Sequence, residues 1–265
     1  MNWWGKIIGG TFGFMLGGPL GALLGAALGH NFDEGLKGVS KDGTGTWERQ
    51  DLIQTAFFIA TFSVMGRLCK SDGRVSDDEI VLARQVMNRM NLSGTQIKAA
   101  IALFNEGKKP DFPIDDVLLQ LKHEIGHRLS LRRMFIEIQL YAAYADGVIH
   151  PSERKLLTHI CRTFGLSDQD FRMMAEAIAG EIHHQQTGYS GRKAGTSLED
   201  AHAILNVSRE ASNEEVKKAY RRLMNQHHPD KLVSKGLPEE MIKIAEHRTH
   251  EIRQAYEAIK EARGL

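Results

Sequence analysis

Three stretches of this 265-residue sequence place reactive side chains at spacings that chemistry could use. His123-Glu124-Ile125-Gly126-His127 matches HExxH, the pattern that sets two imidazoles on one helical face to hold zinc, with the glutamate as general base. A third protein ligand would have to come from a distance, with Glu137 and Glu153 as candidates. Asp-Gly…Glu occurs twice, as Asp72-Gly73…Glu79 and Asp146-Gly147…Glu153, and fits the later positions of a calcium loop. The earlier positions hold Leu68 and Lys70 in one copy and Ala142 and Tyr144 in the other, and these cannot supply the roughly six oxygens that a hard cation needs. The third stretch is His228-Pro229-Asp230, which follows a segment crowded with Lys217, Lys218, Arg221 and Arg222. Pro229 fixes φ and has no donor, so the preceding helix cannot continue. His228 and Asp230 are then held at a tip, where a carboxylate can make a charge-assisted bond to an arginine of a partner. No catalytic residue, metal site or cofactor is assigned; proteolysis at residues 123–127 is kept as an alternative.

The elements that must position these residues are helical, and the fold class is all-α. From Trp47 to about Ile182 apolar residues recur at helical spacing. This stretch is duplicated with an offset of 74 residues: Glu79 lies over Glu153, Leu82 over Leu156, Val86 over Ile160, and Leu92-Ser93 over Leu166-Ser167. The simpler reading of each Asp-Gly is a turn between helices, with Ser76 and Glu79 forming a capping box and Pro151 in a first helical turn. Residues 123–127 then sit near a helix end with Leu121, Ile125 and Leu129 facing inward. Residues 30–46 and 183–197 are glycine-bearing, polar and aperiodic, and read as linkers. Residues 198–265 return to a helical period. A short helix covers Leu198 to Leu205 and a second runs from Ser212 to Gln226, capped by Ser212 and Glu215, with Val216, Ala219, Tyr220 and Leu223 inward. A long helix from Glu239 to about Ala262 carries Ile244, Ala245, Ile252, Ala255, Tyr256 and Ile259 on its inward stripe.

The first residues differ from the rest. After a six-residue tail, Ile7 to Gly29 contains no charge, and its 23 residues would span about 34 Å as a helix, enough for a hydrocarbon core of about 30 Å. Gly9, Gly13, Gly17, Gly21, Gly25 and Gly29 repeat every fourth residue and form a bare stripe, the pattern that lets two transmembrane helices pair closely into a homodimer. Lys plus Arg is 34 and Asp plus Glu is 33, a balance that argues against nucleic-acid binding. Cys69 and Cys161 are the only cysteines, too few for a disulfide framework and in keeping with a reducing compartment.

The last seventy residues resemble the J-domain of DnaJ-type co-chaperones, an antiparallel helix pair joined by His-Pro-Asp. The resemblance rests on Lys218-Ala219-Tyr220-Arg221-Arg222-Leu223, on His228-Pro229-Asp230, and on Gln254-Ala255-Tyr256-Glu257-Ala258-Ile259. Asp200-Ala201-His202 stands where that family has Asp-Tyr-Tyr, Leu205-Asn206-Val207 stands where it has Leu-Gly-Val, and no fourth helix is expected before Leu265. The Gly/Phe-rich segment and zinc-cysteine repeats of general folding co-chaperones are also missing, which argues against direct capture of unfolded clients. Residues 50–182 resemble the TerB-like helical domain, which implies an interaction or sensing role. Together the three parts resemble the membrane-anchored DnaJ-like co-chaperones of bacteria.

That resemblance implies a non-enzymatic partner of a DnaK-type ATPase. Asp230 would engage the ATPase near its nucleotide domain and interdomain linker, while Lys217, Lys218, Arg221 and Arg222 steer an acidic surface into place. It further implies the inner membrane, with the six-residue tail periplasmic and residues 30–265 cytoplasmic where DnaK and ATP are, and a link to envelope stress and capsule signalling. A membrane scaffold whose J-domain is vestigial is the other alternative.

Overall fold

The structure, a computed structural model, describes residues 17–28, 49–72, 87, 90, 92–144, 148–188, 198–238 and 241–264. Among these residues every regular element is helical. The helices are α1 (Gly18–Leu28), α2 (Arg49–Cys69), α3 (Gly94–Gly107), α4 (Ile114–Ile125), α5 (Leu129–Ala143), α6 (Pro151–Thr163), α7 (Asp168–Gly188), α8 (Leu198–Leu205), α9 (Asn213–His227), α10 (Pro229–Val233) and α11 (Ile242–Ala262).

α2 is the axis of the central domain. It is long and apolar enough to cross a bilayer, yet 89% of its apolar window is buried by the surrounding helices. A helix apolar on all sides needs cover on all sides. Its buried hydroxyls are satisfied within the helix, Thr61 donating to the Phe57 carbonyl at 2.7 Å and Ser63 to Ile59 at 2.8 Å. Phe57 meets Phe135 of α5 edge-on at 5.7 Å, and Phe135 meets Phe164, just past α6, at 5.3 Å.

The duplication is visible in helix boundaries. α3 begins at Gly94 and α7 at Asp168, 74 residues apart, and each follows a serine cap. Ser93 pairs with Gln96 in a capping box; Ser167 and Asp170 exchange the equivalent bonds, at 3.0 and 3.1 Å. α2 and α5 end at Cys69 and Ala143, again 74 apart. Pro151 opens α6, and Glu153 returns to the His150 amide at 2.9 Å, so this carboxylate serves as a cap. The first-copy capping box at Ser76 and Glu79 lies outside the described residues.

Two boundaries differ from the sequence reading. The single helix expected over Ile7–Gly29 is interrupted: Gly17 is not helical and α1 begins at Gly18, while residues 7–16 lie outside the described ones. Gly17 and Gly18 have φ of 54° and 55°, in the left-handed region that two glycines before a proline can take, and Pro19 suits a first turn. Gln120 of α4 closes this start, accepting from the Leu20 amide at 2.9 Å and donating to the Gly17 carbonyl at 3.1 Å. Leu20, Leu23, Leu24 and Ala27 are buried against the central domain. The linker expected from residue 183 begins later, because α7 continues to Gly188 with no glycine or proline in between to stop it.

The C-terminal hairpin has a small core of its own: Ala201, Ile204, Leu205, Val216, Ile252, Ala255 and Ile259, with Tyr220 stacked on Tyr256 at 4.2 Å. α8 ends in a Schellman motif, Val207 N–H donating to the His202 carbonyl and Asn206 N–H to Ala203. Asn206 holds the left-handed position, at φ 53°. Glycine takes this conformation at lower cost, so Asn206→Gly should raise stability by about 0.5–1 kcal/mol, read as a higher urea midpoint. Near the other end, Arg263 donates to the carbonyls of Ala211 at 2.7 Å and Arg209 at 3.3 Å and to Asn213 Oδ1 at 2.9 Å, fastening the last turn to the α8–α9 loop.

Candidate partner-binding site

His228-Pro229-Asp230 forms the corner between α9 and α10, with His228 ending one helix and Pro229 opening the next. Ser212 and Glu215 cap the start of α9 as their spacing requires, through bonds of 2.7 and 3.3 Å. Val216 and Ala219 face inward and Lys217, Lys218 and Arg221 outward into solvent. Arg222 is also exposed but borders the cleft between the hairpin and the central domain. The Asp230 side chain is 92% exposed, and the His228 imidazole faces it, with Nδ1 4.0 Å from Oδ2. Lys231 donates to Asn225, tying α10 back to the end of α9. The corner therefore presents an exposed carboxylate, and the helix leading into it carries three outward cations.

Behind the corner lies a buried polar cluster that sequence reasoning missed. Glu181 of α7 is fully buried; its Oε2 accepts from Arg248 Nη1 at 2.5 Å and from the Tyr141 hydroxyl at 2.6 Å, and its Oε1 lies 3.0 Å from His247 Nε2. His227, the residue before the tripeptide, is buried with Nδ1 3.4 Å from Glu137 Oε2. Arg133 donates to Asp170 at 2.8 Å and to Gln226 at 3.4 Å. The available signal was Arg248, which stands at the i+4 position between Ile244 and Ile252 on the inward stripe of α11.

These environments give the cluster a pH dependence. Burial pushes Glu181 up, but Arg248, with hydrogen bonds from His247 and Tyr141, outweighs it and holds the carboxyl at about 2. Burial, reinforced by Arg248 and Arg133, lowers His227 to about 3. Burial raises Glu137 to about 7 against the pull of the same two arginines. Glu181 therefore stabilises the fold above its ordinary value of 4.5, and this is lost as pH falls through it toward about 2. His227 costs stability as pH falls from 6.5 toward about 3, because the unfolded imidazole takes the proton first. Glu137 has the opposite sign, gaining stability as pH falls from about 7 to 4.5. The last two oppose each other down to pH 4.5; below it Glu181 and His227 act together. The urea midpoint should stay nearly level from pH 7 to 4.5 and fall steeply below, and a midpoint that rises on acidification below 4.5 contradicts this assignment.

The other candidates are not assembled into sites. α4 ends at Ile125, and Gly126 turns the chain at φ 56°, so His127 falls past the helix and does not share a face with His123. That removes the geometry HExxH chemistry depends on. Leu121 and Ile125 are buried as expected, but Leu129 is 48% exposed, because the turn at Gly126 restarts the helical phase at α5. Among the described residues no group of three or more His, Cys, Asp or Glu is placed to hold a metal ion. Of the glycine stripe, Gly21 and Gly25 lie on α1, Gly17 precedes it, and Gly9, Gly13 and Gly29 are outside the described residues. Gly21 is buried and Gly25 exposed. Cys69 and Cys161 are both buried, and burial pushes the Cys161 thiol up to about 12.

Comparison with known proteins agrees with this three-part organisation. Residues 1–40 match the co-chaperone DjlA transmembrane domain, residues 58–176 tellurite resistance protein TerB, and residues 200–263 the DnaJ domain. No solved structure matches the chain. The co-chaperone protein DjlA of Vibrio parahaemolyticus is 44% identical over 284 residues, that of Escherichia coli 43% over 274, and that of Coxiella burnetii 42% over 271, each alignment covering all of both chains. With an N-terminal transmembrane domain, a TerB domain and a hairpin carrying His228-Pro229-Asp230 in one alignment that covers the whole chain, this chain belongs to the DjlA family of membrane-anchored co-chaperones.

Proposed function

We propose that the chain stimulates ATP hydrolysis by a DnaK-type chaperone at the bacterial inner membrane and carries out no bond chemistry of its own. The observation that carries this reading is the Asp230 carboxylate, exposed at a proline-fixed corner and free to accept from a partner arginine. Lys217, Lys218 and Arg221 point outward from the same helix and would steer an acidic face of the ATPase onto the corner; Arg222, at the cleft edge, would add to the same field. His228 and Pro229 fix the approach of the carboxylate. The result is a bias on the conformation of the partner that favours hydrolysis.

The membrane topology is part of the proposal. The N-terminal segment enters the inner membrane with the first six residues periplasmic, and the folded domains face the cytoplasm, where ATP and the chaperone are. The glycine stripe from Gly9 to Gly29 would pair two chains within the bilayer, as its four-residue spacing favours, and this requires α1 to leave the contacts that bury Leu20, Leu23 and Leu24 against the central domain. We further propose that this activity feeds envelope stress and capsule signalling. The test is single-turnover hydrolysis of ATP by DnaK, with and without the full chain in nanodiscs. A several-fold faster turnover is expected; an unchanged rate overturns the reading.

A further inference from the structure

We infer that the central domain is a working part of the His228-Pro229-Asp230 corner: Glu137 and Glu181 are positioning residues that hold the corner in the arrangement its partner engages. The inference rests on the proposed function above.

The corner is bracketed by contacts to the other domain. On its N-terminal side His227 is 4% exposed and faces Glu137. On its C-terminal side Leu232 is 1% exposed and belongs to the central core, as do Leu237, Met241, Ile244 and Ala245. Backbone and side chain are both gripped. Gln50 of α2 donates to the Val233 carbonyl at 3.2 Å, Gln54 to the Leu237 carbonyl at 3.4 Å, and Lys235 to Ser130 Oγ at 3.0 Å. Gly236, at φ 102°, sits so close to Ile53 that a Cβ there would lie 2.7 Å from Ile53 Cγ2. Along α11, Arg248 inserts into the Glu181 carboxylate beneath Tyr141.

The residues that pack the hairpin internally lie on α8, on α9 from Val216 to Met224 and on the stretch of α11 from Ile252 to Ile259. From the tripeptide onward to Ala245, the buried apolar residues Leu232, Leu237, Met241, Ile244 and Ala245 all join the central core rather than the hairpin's own. A corner packed on one side only by a neighbouring domain takes its conformation from that neighbour. Docking also leaves Lys217, Lys218, Arg221 and Asp230 exposed, so the docked arrangement is open to a partner. An isolated arginine or glutamate left buried is strongly destabilising, which makes Arg248–Glu181 the contact whose loss should release the corner.

The test uses the full chain in nanodiscs and DnaK single-turnover hydrolysis. Ser130→Cys and Lys235→Cys are joined by a short, reducible bismaleimide; the native thiols are buried and do not compete. The tethered chain is expected to stimulate as well as the same chain before tethering. If tethering abolishes stimulation and reduction restores it, docking is a closed state and the inference is overturned. In the second arm, Glu181→Met is expected to lower both tethering yield and stimulation, the latter by at least about tenfold, while Glu181→Met with Arg248→Met recovers both. Full stimulation by Glu181→Met overturns the inference whatever its tethering yield. If Glu181→Met fails to fold, the tether decides alone. Stimulation by the untethered chain tests the proposed function itself, so the two failures are distinguishable.

Discussion

Gly66→Ala or Gly107→Ala should each cost the central domain at least about 3 kcal/mol, far more than the roughly 1 kcal/mol of helix propensity that alanine returns. α2 and α3 cross with their backbones in contact at these two positions. A Cβ on Gly66 would lie 2.0 Å from the Phe104 carbonyl oxygen, and one on Gly107 would lie 1.8 Å from the Ser63 carbonyl oxygen. Neither obstacle is a side chain that can swing away. The helices would have to separate, and Leu103, Phe104 and Phe62, all buried, would lose contacts along the whole crossing. The expected result is a fall in thermal midpoint of about 6–12 °C by circular dichroism, since each kcal/mol moves a domain of this size by about 2–4 °C. A midpoint within a degree or two of the unaltered chain would show that the helices do not cross so closely.

Asp230→Asn is expected to reduce stimulation of DnaK to background. The substitution keeps size and shape and removes only the charge. A hydrogen bond to a charged group contributes about 1.5–3 kcal/mol, so its loss is worth roughly ten- to a hundredfold. Asp230 has no internal duty that would confuse the result, because its side chain is almost wholly exposed. The variant should therefore melt with the unaltered chain while failing to accelerate hydrolysis. His228→Gln should fail in the same assay. Neutralising Lys217, Lys218 and Arg221 should instead weaken stimulation in steps, with a loss that shrinks as salt is added, because these cations act through long-range attraction. If Asp230→Asn accelerates hydrolysis as well as the parent, the corner is not the point of engagement.

Much of the architecture was legible because it is local. Ser212 with Glu215, Pro151 at the start of α6 and the inward faces of α9 and α11 follow from caps and a 3.6-residue period, and all stand where their spacing puts them. The duplication was legible because two copies use the same cap chemistry at Ser93 and Ser167. Periodicity says that Ile244 and Ala245 face inward, but not toward which interior, and they join the central domain rather than the hairpin. Glu181 and Arg248 are 67 residues apart, and a charged residue on a helix reads as solvated until its partner is known. Glu137 drew attention only as a distant zinc ligand, whereas its neighbour is His227. The break at Gly17 and Gly18 was hidden by an apolar run that satisfied every length criterion for one helix.

The shared interior of the tripeptide half has a consequence for exchange between proteins. A hairpin lifted from another co-chaperone and grafted after residue 197 would carry its own tripeptide and its own basic helix, yet it would meet a socket cut for Leu232, Leu237 and Met241, with Ile53 waiting for a glycine. Chimeras of this kind should work in proportion to how well the incoming loop matches that socket, and a mismatched one would lend its host a J-domain in name without a usable handle.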